Sequence, residues 1–94
     1  MVIGVCTLEL FIPGNRSLKG KRRILKSLIA RVRNEFNVSI AEVGGNEAWQ
    51  SATLGVTCVS NDAAHAHTML SKVVQTIERD HLDVQIVDYH IEVL

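Results

Sequence analysis

From Val2 to Ile12 the chain reads VIGVCTLELFI, a β-branched and apolar run that ends at Pro13-Gly14-Asn15, the strongest turn signal present. Alternate positions set Cys6, Leu8 and Leu10 against Thr7 and Glu9, so the first group is expected to face a core. Residues 38–43 (VSIAEV) and 51–59 (SATLGVTCV) are two further strand-like runs, separated by the hairpin-length connection GGNEAWQ with its Gly-Gly breaker. In the second of these, Leu54, Val56 and Cys58 share a face. The run from Val84 to Leu94 predicts a last strand, with Val87, Tyr89, Ile91 and Val93 alternating against Asp88, His90 and Glu92.

Two segments carry the helical period instead. In residues 18–36, Ile24, Leu25, Leu28, Ile29, Val32 and Phe36 gather on one side, and Ser17 stands where an N-cap is needed. In residues 62–82, Ala63, Ala66, Leu70, Val73, Val74 and Ile77 form a second stripe, with Ser60, Asn61 or Asp62 available as caps. The order β-α-β-β-α-β predicts an α+β, ferredoxin-like domain: a four-stranded antiparallel sheet with two helices on one face. One proline and no linker-like run leave residues 1–94 as a single domain.

Composition changes this picture in one respect. Ten basic and ten acidic residues cancel, but residues 1–46 hold eight Lys/Arg against Glu9, Glu35 and Glu42, whereas residues 47–94 hold Lys72 and Arg79 against seven acids. A dipolar chain of this kind implies one oriented basic patch rather than general affinity for polyanions. The apolar runs are strand length and follow no charged leader, which argues against export and membrane insertion and predicts a cytoplasmic protein. Cys6 and Cys58 lack zinc or redox spacing and read as packed thiols on neighbouring strands.

The patch is NRSLKGKRRILKSL, residues 15–28, with six basic side chains and no acid. On a helical projection Lys19, Arg22, Arg23, Lys26 and Arg33 occupy a continuous arc of about 100°, while Lys21 projects toward the apolar edge. Together these six are the candidate nucleic-acid-binding residues. Their competing reading is a solvated helix face, but cations at a helix start oppose the macrodipole, and a bound anion would offset that cost. Stacking of bases on the strands, as in an RNA recognition motif, is excluded because VIGVCTLEL and SATLGVTCV contain no aromatic residue.

A second candidate surface comprises Ile3, Val5, Phe11 and Val59, expected on the sheet face away from the helices and suited to pairing with another copy. Trp49 belongs either to that interface or to the closed end of the core, and the core reading is favoured because so small a domain can hardly spare its apolar area. His65 and His67 lie about 200° apart on a helix and cannot chelate one metal. His81 falls on the apolar stripe, and Asp88, His90 and Glu92 share a polar strand face, a loose cluster open to a small ligand. No catalytic motif, metal site or cofactor-binding loop is present, so the chain reads as a non-enzyme.

The segment SLKGKRRILKSLIARVRNEFNVSIAEV together with WQSATLGVTCVS resembles the YlxP-like family of small bacterial proteins, a group of unknown function. Its most specific element is Ser17, Leu18, Lys19, Lys21 and Arg22, followed by the strand holding Ala52, Thr53, Leu54 and Gly55. The resemblance implies a ferredoxin-like fold, a cytoplasmic bacterial protein and, through the genes that neighbour such proteins, a ribosomal or RNA-related role. It supplies no catalytic residues. The expected function is therefore an accessory protein that binds RNA or the ribosome. The alternatives are a homodimeric interaction module and a small-ligand-binding regulatory domain.

Overall fold

A computed structural model describes residues 1–94. Strands β1 (Val2–Phe11), β2 (Ser39–Gly44), β3 (Ser51–Ser60) and β4 (Gln85–Val93) form one antiparallel sheet in the order β2-β3-β1-β4. Helices α1 (Leu18–Glu35) and α2 (Ala63–Asp80) complete the ferredoxin-like β-α-β-β-α-β order.

Each helix starts where a side chain satisfies a free N–H of the first turn. Ser17, in extended backbone, accepts from Gly20 N at 2.9 Å, and Asp62 accepts from His65 N at 3.2 Å. Alternation then decides what the sheet buries. Cys6, Leu8 and Leu10 of β1 lie beside Ala52, Leu54, Val56 and Cys58 of β3, and both sets meet Leu25, Leu28 and Val32 of α1 and Leu70, Val73 and Ile77 of α2. Both cysteines are free and buried, and burial pushes the Cys6 thiol up to about 11.

Two local departures matter. The β1–β4 register shifts between Glu9 and Leu10, so Ile86, not Val87, stands opposite Leu10. That irregularity turns Val87 outward, against the alternation expected for β4, and Tyr89 is also largely exposed because it lies on an edge strand that the helices only partly cover. The second departure concerns the β2 edge and follows from the parity of the ladders: Ile3 exchanges both backbone bonds with Leu94 on the β4 side, and Ile12 N donates to Gln50 O on the β3 side. This parity aims the backbone groups of Val56 at β1 and those of its partner Ile40 away from the sheet. The outward carbonyl of Ile40 accepts from the Arg33 guanidinium at 3.1 Å.

Candidate nucleic-acid interface

Lys21 is the largest fully buried side chain of the protein, and this removes it from the phosphate-binding set. It sits four residues before Leu25 and seven before Leu28, at the start of the stripe that α1 packs inward. An ammonium has three donors, and three carbonyls of the β2–β3 hairpin receive them: Gly45 O at 2.7 Å, Asn46 O at 3.3 Å and Ser51 O at 3.3 Å. The carboxylate of Glu42, 2.9 Å away, supplies the opposite charge. Lys21 therefore anchors the hairpin to the first turn of α1.

Other polar side chains tie the same end of the sheet together. Asn15, buried in the loop after β1, donates to Ser17 O at 2.7 Å and to Trp49 O. Gln50 donates back to Pro13 O at 3.3 Å and Asn15 O at 3.0 Å. Gly20 is required for this packing, because a Cβ there would collide with Asn15 Oδ1. Gly45 turns the hairpin with φ of 71°, a left-handed conformation costly for any side chain. Sequence patterning points to neither Asn15 nor Gln50, since their partners are carbonyls distant along the chain.

Outside this network lie Arg16, Lys19, Arg22, Arg23, Lys26 and Arg33, all exposed. None forms an ion pair. The acids that pair with cations elsewhere are engaged by Lys21, Arg31, Arg79 and His90. Arg22, Lys26 and Arg33 overhang β2 and line an open groove of about 470 Å³ between α1 and that edge strand. Arg33 has one guanidinium nitrogen engaged by Ile40 O, so it is partly a structural residue.

The expected interface residues divide between opposite ends of the sheet. Ile3 pairs with Val59 and, with Val5, occupies the end near Leu94, on the face away from the helices. Phe11 lies eight residues along β1, roughly 26 Å distant at 3.3 Å per residue, opposite Ser51. Trp49 does not close the core: it is 56% exposed and joins Phe11 and Arg16 in a cleft of about 600 Å³. Its loop lies beyond the strands, outside the space the helices cover.

Acids lie on the outer sheet face, where Glu9 is two residues before Phe11. Glu9 stands opposite Asp88, and Glu9 accepts from Thr53 Oγ1 at 2.7 Å. His90 meets Glu92 at 3.2 Å, but no three His, Cys, Asp or Glu side chains converge as metal ligands. His65 and His67 are exposed on α2, and His81 is buried at its end. Neither helix is long and apolar enough to cross a membrane.

Residues 3–91 match the family described as protein of unknown function DUF503. The chain is similar to YlxP of Bacillus subtilis (strain 168), itself described as uncharacterized: they are 38% identical over 77 residues, covering 82% of this chain and 84% of that protein. Two designed proteins are similar in structure. LFR1 1, with a ferredoxin fold, gives a TM-score of 0.60 at 13% identity, over 100% of this chain and 84% of that one. Foldit4 gives 0.55 at 10% identity, over 100% and 97%. At these identities the structural likeness concerns fold alone.

Proposed function

The chain belongs to the DUF503 family, and from that premise we propose that it is a non-enzymatic, cytoplasmic RNA-binding protein whose first helix contacts phosphates. The observation that carries this reading is the unneutralised basic face. Lys19, Arg22, Arg23 and Lys26, with Arg16 before them and Arg33 after them, meet no carboxylate within ion-pair distance. Lys21, the cation that packing requires, is the one provided with Glu42. Fold stability gains little from the others, and two of them sit in the first turns of α1, where the helix field disfavours positive charge. A phosphate backbone reverses that balance by releasing its own counterions.

The partner class fits a ribosome or another structured RNA, whose surface is a dense array of phosphates. Five phosphate contacts on single-stranded RNA give a log–log slope of affinity against salt of about −3.5. Arg22→Glu combined with Lys26→Glu lowers both affinity and slope, whereas Lys72→Glu on α2 alters neither. Salt-independent binding, or an equal effect of Lys72→Glu, overturns the reading.

A second reading, self-association through the outer sheet face, is favoured by the apolar end where Ile3 meets Val59 and Leu94, which are 67% and 69% exposed. Sedimentation equilibrium at micromolar concentration tests it: a dimer dissociated by Val59→Asp supports this surface, and a monomer throughout removes it.

A further inference from the structure

We propose that the cleft between Phe11 and Trp49 receives one unpaired nucleotide of the bound RNA, its base stacked on the Trp49 indole and its phosphate held by Arg16. This rests on the RNA-binding reading and adds to it a site for a base.

Four observations converge on the cleft. Its volume of about 600 Å³ lies within the range of small-ligand sites, and its lining includes two aromatic rings and a cation but no acidic side chain. Trp49 is an exposed ring on a fixed backbone: Asn15 holds its carbonyl, Gln50 donates to the carbonyls of Pro13 and Asn15, and Gln50 O accepts from Ile12 N at 2.8 Å. With the backbone held, stacking has only the two side-chain torsions of the indole to order. Arg16 forms no ion pair and leads within three residues to Lys19, which sets a continuous path from the cleft to the cations of α1.

The placement of aromatic rings explains why the base binds at the end of the sheet rather than its middle. RNA recognition motifs stack bases on aromatics of the central strands. Here the only aromatic residue of the two central strands is Phe11, the last residue of β1. The absence of any other ring on β1 and β3 thus removes stacking from the centre and leaves it to Trp49 and Phe11. A base inside a duplex is already stacked and cannot enter, so the site selects single strands over duplex RNA.

Trp49 is the only tryptophan, so its emission reports on this cleft alone. The test titrates the protein with an oligoadenylate of about ten nucleotides, with an abasic ribose-phosphate polymer of the same length, and with a matched duplex. The oligoadenylate should quench Trp49 fluorescence, and the abasic polymer should bind the helix without quenching. Trp49→Ala should weaken oligoadenylate binding about ten- to a hundredfold while leaving the abasic polymer unaffected, and Trp49→Phe should recover most of the loss. Oligoadenylate binding with unchanged emission, or with equal affinity in Trp49→Ala, overturns the base site and leaves the phosphate reading standing. Failure of all three polymers to bind removes both.

Discussion

The two helices are equal in length and capped in the same manner, yet they meet the rest of the molecule differently. Each spans 18 residues, and each N-cap side chain accepts from the N–H three positions on. The fourth helical residue is fully buried in both, but it is Lys21 in α1 and Ala66 in α2. Ala66 allows close packing: a side chain begun at Gly4 would meet its Cβ at 3.4 Å. Lys21 instead extends past the core to the hairpin carbonyls. Charge follows the same division, since Arg79 of α2 binds its neighbour Asp80 at 2.8 Å while Lys19, Arg22, Arg23, Lys26 and Arg33 of α1 remain without acids. Thus α2 serves packing, and α1 serves as both anchor and outward charged surface.

The largest expected effect comes from breaking the anchor. Lys21→Ala leaves Glu42 and three carbonyls without their partner and should cost about 3–5 kcal/mol in urea denaturation, as much as a core truncation such as Leu70→Ala on α2. A loss below about 1 kcal/mol would show that Lys21 does not hold the hairpin. Next comes Gly20→Ala, which displaces Asn15 and should cost about 1–3 kcal/mol, whereas His65→Ala at the equivalent, exposed position of α2 should stay within about 0.5 kcal/mol.

The smallest effect concerns pH. The hydrogen bond from Arg79 holds the Asp80 carboxyl below the usual carboxylate range. A folded-state value below the unfolded one means that the stabilisation is complete above the unfolded pKa and is lost as pH falls through the folded value. Arg79→Ala should flatten that part of a stability–pH curve, and an unchanged curve would assign the slope to other carboxylates.

Elements with a strong period were legible from the chain itself. Cys6, Leu8 and Leu10, and Leu54, Val56 and Cys58, lie on the core face because alternation leaves one way to bury them. Val87 broke its own pattern because a one-residue irregularity in a ladder leaves no trace in local hydropathy. The burial of Lys21 is hidden from the sequence for a different reason. A lysine beside an apolar stripe commonly leads its charge out to water, and only the folded hairpin reveals carbonyls within reach of its stem. The exposure of Trp49 likewise depends on loop bonds from Asn15 and Gln50 that have no local signature. The exposed cations needed no such information, since the projection already separated them from the core.

The bond from Arg33 to the Ile40 carbonyl bears on how molecules meet at high concentration. An edge strand with free carbonyls is a template for strand addition, the first step toward fibrils. Here one acceptor of β2 is already engaged, and Arg22 and Lys26 hang above the same edge, so a second basic edge is repelled before it can align. At the far edge, the irregular register at Val87 interrupts the row that an incoming strand would need. Both borders of the sheet therefore resist polymerisation by backbone pairing.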